Sequence, residues 1–143
     1  MEFKYKDELA LINESGCNCP PENLMAIAEQ TAFRFVYDII DNPKNFIPTS
    51  KKSPKRLLSE KSAKRCSGMA LSLFELQSLA KDFYCYLMSS FPNIEKSIGT
   101  DLAIGTIDSG DGLITDKDNY SHFDLHEFAD TDLQKKFKII EKL

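Results

Sequence analysis

The six residues of the segment HFDLHE, residues 122–127, alternate strictly between polar and apolar side chains. A period of two is typical of a half-buried β-strand, so the chain must contain a sheet with one face against a core. In such a strand His122, Asp124 and His126 share one face, and Glu127 lies on the other.

Further elements follow from local patterns. Strands are predicted at residues 33–37, 66–74 and 101–107, because these stretches are rich in β-formers or are continuously apolar. Short helices are predicted within residues 1–15 and 22–29. A long amphipathic helix is predicted over residues 76–88, whose apolar side chains recur at helical spacing and which follows a capping-box pattern formed by Ser72 and Glu75. The tail after Thr131 fits a capped helix or a final strand.

These elements predict one α+β domain over residues 1–143. Its expected architecture is a small mixed or antiparallel sheet of about four to five strands, packed by the long amphipathic helix and by short helices. The longest stretch without a charge has twelve residues, 83–94, which is too short to span a bilayer. Because residues 1–4 also lack the apolar core of a signal peptide, the sequence predicts a cytoplasmic protein that does not engage a membrane.

Four cysteines, Cys17, Cys19, Cys66 and Cys85, are expected to be free thiols in such a compartment, with Cys85 in the core. Cys17 and Cys19 together with His122 and His126 would make a four-ligand zinc set. The single residue between the two cysteines is shorter than the usual thiolate spacing, so zinc is not favoured and no metal is assigned.

Positive charge is concentrated in residues 49–65, although the whole chain carries a net charge of −4. This segment is expected to be a basic loop, and a local excess of cations on an acidic body attracts an anionic ligand or an acidic partner. The alternative is a solvated connection without a binding role, which its serines also fit. The candidate ligand-binding residues are Lys51, Lys52, Lys55, Arg56, Lys61, Lys64 and Arg65.

The face formed by His122, Asp124 and His126 suits a general base with an orienting carboxylate, and these three residues are catalytic candidates. The alternative is a polar, solvent-facing edge of the sheet. On a regular strand a site built on this face excludes a site built on Glu127.

A second candidate set is Arg34 on an early aromatic strand, Ser72 before the long helix and Glu127 on a late strand. Their order resembles the Arg, Ser, Glu layout of the ADP-ribosyltransferases. The resemblance implies NAD as cofactor, with Arg34 on the pyrophosphate and Glu127 beside the reacting ribose. The family's Ser-Thr-Ser motif is absent, and Leu125 stands where a second glutamate is usual.

The sequence therefore predicts a small domain that engages a phosphate-bearing ligand, either a nucleotide or a nucleic acid. ADP-ribosyl transfer is its sharpest enzymatic form, and no cofactor is assigned unless that form holds. The alternative is a non-catalytic interaction module that docks an acidic protein surface through the basic segment.

Overall fold

Seven strands of the described residues form one fully antiparallel sheet in a computed structural model, which describes residues 1–55 and 62–143. The strands lie in the order β1-β5-β6-β3-β2-β4-β7. Their bounds are β1 Met25–Ala26, β2 Gln30–Val36, β3 Leu71–Phe74, β4 Asp101–Ile107, β5 Gly112–Ile114, β6 His122–Glu127 and β7 Phe137–Lys142. The sheet is wider than the predicted four to five strands, so that prediction was wrong.

Five short helices surround this sheet within the same residues. They are α1 Lys6–Glu14, α2 Thr49–Lys52, α3 Ser62–Ser67, α4 Gln77–Ser90 and α5 Glu95–Ile98, and a 3₁₀ turn spans Leu133–Lys135. Helices α2 and α3 fall largely within the segment that was expected to be a basic loop. None of the helices in the described chain has the length and apolar character that a membrane crossing needs.

Alternation along the strands sorts the core into two layers. One face buries Ala32, Val36, Leu73 and Phe123 beneath residues 37–48, a loop that contributes the partly buried Ile40 and Phe46. The other face buries residues that include Phe33, Phe74 and Leu102 beneath helix α4.

The packing of α4 shows that the prediction of a long amphipathic helix was wrong. This helix buries only Ala80 and Tyr84, while Leu76 and Met88 at its ends are 47% and 45% exposed. Cys85, expected in the core, is exposed as well. The two buried positions of α4 lie one turn apart, and together with the partly buried Phe83 they pack over Phe35 and Phe74.

Two other local predictions were wrong because pairing with distant strands overrides local propensity. Residues 22–29 form no helix, since Met25 and Ala26 pair with Ile114 and Leu113. The strand predicted from residue 66 begins only at Leu71, and the preceding residues belong to α3 and a turn. Ser72 lies inside β3 and caps no helix.

A third apolar cluster fixes α1 against α3. Leu9 and Ile12 pack there with Met69, and Cys19 and Cys66 form a disulfide with a Cα–Cα distance of 5.5 Å. The expectation of four free thiols was therefore wrong, since the fold brings together two cysteines that are 47 residues apart in sequence. The chain N-terminal to α1 joins the sheet next to β6, where Lys4 N–H donates to the Glu127 carbonyl over 2.9 Å.

Strands β2 and β3 are adjacent but pair at a single position, Phe33 with Phe74. Beyond that pair a side-chain hydrogen bond replaces the backbone hydrogen bonds between the two strands. The Nη1 of Arg34 in β2 donates to the carbonyl of Ser72 in β3 over 2.9 Å. A cavity opens at this point, lined by residues of both strands.

Candidate anion-binding cleft

Arg34 anchors the cavity from below. It is 8% exposed, and its Nε donates to the Asn45 carbonyl over 2.7 Å while the guanidinium lies 5.7 Å from the centre of the Phe46 ring. Burial lowers the pKa of Arg34 to about 10, an effect that Glu127 and Tyr5 oppose. The side chain therefore stays positively charged at neutral pH and is held rigidly in place.

The wall opposite β3 is the loop over residues 37–48, and Asn45 holds this loop together. The Asn45 side chain accepts from Tyr37 N–H over 2.7 Å and donates to the carbonyls of Ile39 and Ile40 over 2.8 and 3.1 Å. Together with the bond from Arg34, these contacts fix the loop to β2. The buried amide of Asn45 thus positions both the wall and the base of the cavity.

Two neighbouring cavities that share part of their lining make up the cleft. The inner one has a volume of about 70 Å³ and the outer one about 430 Å³. Tyr37, Lys44, Thr49 and Lys52 line both of them. The inner cavity adds Arg34, and the outer cavity adds Lys51 and Lys96. Among the described residues no Asp or Glu lines either cavity, although Glu8 pairs with Lys51 and the charge of Glu127 acts on Arg34.

The pKa of Lys52, like that of Arg34, is lowered by its surroundings. The Nζ of Lys52 donates to the Ser97 carbonyl over 3.0 Å and lies 5.9 Å from the centre of the Tyr37 ring. The pKa of Lys52 is lowered to about 8, first by burial and then by the neighbouring charges of Arg34 and Lys44. A bound anion would relieve this repulsion directly.

The remaining residues of the basic segment are dispersed. Lys51 pairs with Glu8 over 2.6 Å and lies above the Tyr5 ring, at the outer rim of the cleft. Lys55 and Lys64 are exposed and line neither cavity. Arg65 is half-buried, with its Nε enclosed and without a hydrogen-bond partner. The predictions for Arg56 and Lys61 lie outside the described residues.

Arg34, Ser72 and Glu127 do not share one cavity. Ser72 pairs with Asp124 and Leu71 with Leu125, so the side chains of Ser72 and Glu127 point to opposite faces of the sheet. Arg34 and Ser72 line the inner cavity, whereas Glu127 does not. ADP-ribosyl transfer therefore stays a prediction. The cleft that contains Arg34 and Ser72 does not contain the carboxylate of Glu127, which that reaction would need.

Glu127 is instead buried beneath the N-terminal segment. Its Oε2 accepts from the Lys4 ammonium over 2.9 Å, and its Oε1 has no hydrogen-bond partner. Burial raises the pKa of Glu127, while Lys4 and Arg34 act in the opposite direction. Burial and the charge of Glu127 together raise the pKa of nearby Tyr5 to about 12.

His122 and Asp124 lie on the α4 side of the sheet and contact each other. The distance from His122 Nε2 to Asp124 Oδ1 is 3.6 Å, and His122 Nδ1 lies 3.7 Å from Asp118 Oδ2. Burial raises the pKa of Asp124, and neither residue lines the cleft.

His126 is buried, 3% exposed, and its Nε2 has no hydrogen-bond partner. Burial lowers the pKa of His126 to about 4, against an ordinary value of 6.5. Between these two pH values the unfolded chain binds a proton that the folded chain does not. The free energy of unfolding therefore falls as the pH drops from 6.5 to 4, by about 3 kcal/mol from this residue.

We expect His126→Leu to remove this part of the pH dependence, as measured by urea unfolding at intervals between pH 4 and 7. A His126→Leu variant with the wild-type slope would contradict the burial of a neutral imidazole.

The zinc set suggested by the sequence is not assembled. Cys19 is bonded to Cys66, and in the described part of the chain no three His, Cys, Asp or Glu side chains are grouped as metal ligands. Cys17 is half-buried beside the disulfide.

Sequence reasoning missed four residues of the cleft, namely Tyr37, Lys44, Asn45 and Lys96. Three of them follow strand β2 closely, and the turn residues Asn42 and Pro43 were the one local signal that a wall-forming loop lies there. Lys96 gave no signal, because it reaches the cleft only through the packing of α5.

Comparisons with protein-family models, with curated proteins and with solved structures found no match to this chain.

Proposed function

We propose that the cleft between β2, α2 and α5 binds a phosphate-bearing ligand. The observation that carries this proposal is the convergence of Arg34, Lys44, Lys52 and Lys96 on a cleft without a lining carboxylate. Of these four cations Arg34 is buried, Lys52 is half-buried, and Lys44 and Lys96 are exposed at the opening. A buried cation is stabilised when it is paired, and a multiply charged oxyanion pairs with several cations at once.

The two volumes suit two parts of one ligand. The inner cavity of about 70 Å³ is several times the ~10–15 Å³ that a single water needs, which leaves room for a phosphate group. The outer cavity of about 430 Å³ lies within the range of roughly 300–1,000 Å³ that is typical of small-molecule sites. Tyr37 and Ile47 give the outer part an aromatic and an apolar surface for the remainder of the ligand.

Rigid surroundings favour binding in this cleft. Arg34 is fixed by Asn45 and Ser72, and Tyr37 is fixed because its hydroxyl donates to the Lys96 carbonyl over 2.7 Å. Little side-chain entropy is therefore lost at these positions when a ligand binds.

Lys52→Gln tests the proposal. We expect this variant to bind inorganic phosphate and pyrophosphate about 10- to 100-fold more weakly than wild type, because a hydrogen bond to a charged group contributes roughly 1.5–3 kcal/mol. Isothermal titration calorimetry at constant ionic strength measures the affinity. Without ligand, the free energy of unfolding of Lys52→Gln should equal or exceed that of wild type, since the substitution removes the repulsion of Lys52 with Arg34 and Lys44.

Lys6→Gln is the matched control, because Lys6 is exposed, lies outside the cleft and carries the same charge. It should bind phosphate as wild type does. If Lys6→Gln weakened phosphate binding as much as Lys52→Gln does, or if chloride bound as well as phosphate, the attraction would be diffuse and the proposal would be contradicted. Binding of an acidic protein without phosphate binding would favour the docking alternative instead.

A further inference from the structure

Lys52 differs from five other lysines of the described chain in what its ammonium contacts. Lys4, Lys51, Lys81, Lys117 and Lys136 each pair with a carboxylate at 2.6–2.9 Å. The Nζ of Lys52 instead contacts a neutral carbonyl, that of Ser97, and its charged neighbours are cations.

This environment favours the neutral amine. With a pKa of about 8, roughly a quarter of Lys52 is unprotonated at pH 7.5, whereas an ordinary lysine with a pKa of 10.5 is unprotonated to about 0.1%. A lysine that is desolvated and placed next to another cationic group is an activated nucleophile.

The position of Lys52 in the cleft also favours a reaction with a bound ligand. Lys52 lines both the cavity that suits a phosphate and the cavity that suits the rest of a ligand, and its Nζ contacts the carbonyl of Ser97, a residue of the outer cavity. A phosphate held by Arg34 and Lys44 brings the adjoining carbons of its ligand close to Lys52. The bound phosphate also favours the ammonium form of Lys52. The rate of attack by Nζ is therefore raised mainly because a carbonyl group of the ligand is held at high local concentration beside Nζ.

We propose that Lys52 condenses with the carbonyl group of a phosphate-bearing aldehyde or ketone. This inference rests on the proposed function and names the class of ligand for the same cleft. The unprotonated Nζ adds to the carbonyl carbon to give a carbinolamine. Loss of one water molecule then leaves a carbon–nitrogen double bond, an imine, and no oxidant or reductant is needed.

Pyridoxal 5′-phosphate tests this step, because it is an aldehyde that carries a phosphate. The full chain is incubated with it, the imine is trapped by cyanoborohydride, and the modified lysine is identified by peptide mass mapping. We expect Lys52 to be modified first, about tenfold faster than by pyridoxal, which lacks the phosphate, if the phosphate contact contributes about 1.4 kcal/mol. Inorganic phosphate should protect it.

Two variants separate reactivity from binding. Lys52→Arg keeps the positive charge, so it should bind phosphate yet lose the fast modification, whereas Lys6→Arg, at an exposed lysine outside the cleft, should keep both. Modification spread over exposed lysines and insensitive to phosphate would overturn the inference. Phosphate binding without modification of Lys52 would also overturn it while leaving the proposed function intact, and loss of both would overturn both.

Discussion

Gly99→Ala is expected to destabilise the protein by about 3–5 kcal/mol, enough to unfold a marginally stable domain. Gly99 follows α5 with φ +95°, a conformation that side chains rarely adopt. A Cβ at this position would lie 2.1 Å from the Val36 carbonyl oxygen and 2.2 Å from its carbon. Since both are backbone atoms at the end of β2, the overlap is relieved only by moving α5 away from the sheet.

Urea unfolding of Gly99→Ala and of the control Gly16→Ala measures this effect. Gly16 has nearly the same φ, +96°, but a Cβ added there would meet no other atom within 4 Å, so we expect a loss of about 1 kcal/mol from conformation alone. Equal losses in the two variants would mean that α5 is not held close to Val36.

The same substitution bears on the cleft. Ser97, which accepts the hydrogen bond from Lys52, and Ile98, which lines the inner cavity, directly precede Gly99. Displacement of α5 should therefore weaken phosphate binding in any fraction of Gly99→Ala that folds.

Asn45→Ala is expected to cost about 2–4 kcal/mol of unfolding free energy. The substitution leaves the Tyr37 N–H without its partner and removes the donor to the Ile39 carbonyl, and each buried unpaired group costs about 1–3 kcal/mol. The Ile40 carbonyl is affected less, because it also accepts from Gln134 over 3.0 Å. Thermal and urea unfolding measure the loss, and calorimetry with phosphate measures the effect of a loosened cleft wall.

Asn42→Ala is the control within the same loop. Asn42 is half-buried, and its side chain accepts a single hydrogen bond, from Lys44 N–H over 2.9 Å. We expect a loss of about 1 kcal/mol or less and nearly unchanged phosphate affinity. If Asn45→Ala were as mild as Asn42→Ala, Asn45 would not be the residue that organises the wall.

Strands with a strong local pattern were predictable from the sequence. The segment 101–107 and the alternating segment His122–Glu127 are strands with the predicted bounds, and Arg34 lies on a strand as expected. Residues 122–127 carry the period of two themselves, and residues 101–107 are recognisable from their β-forming and apolar side chains.

Elements that depend on distant contacts were not predictable. β1 has two residues and is fixed only by β5, nearly ninety residues later, and Cys19 meets Cys66 only because α1 packs on α3. The width of the apolar stripe on α4 depends on the shape of the sheet below it, which helical spacing does not reveal.

The candidate cleft was foreseen in part. Charge density pointed to the segment that contains Lys52, and the aromatic strand pointed to Arg34. Their proximity depends on contacts between residues distant in sequence, such as the bonds from Ser50 N–H to the Gly68 carbonyl and from Lys52 Nζ to the Ser97 carbonyl. No local signal in the sequence indicated Lys44, Lys96 and Asn45. A single lysine or asparagine looks the same in the sequence whether its side chain faces solvent or a cavity.

The pKa of the Lys52 ammonium, with and without phosphate, tests the central claim most directly. Nuclear magnetic resonance of isotope-labelled lysine side chains, assigned with Lys52→Arg, follows this group through a pH titration. The structure predicts a pKa of about 8 in the absence of phosphate and a higher value at saturating phosphate, because a bound anion favours the ammonium. A Lys52 that titrates near 10.5 and does not respond to phosphate would contradict the assignment of this cleft as an anion-binding site.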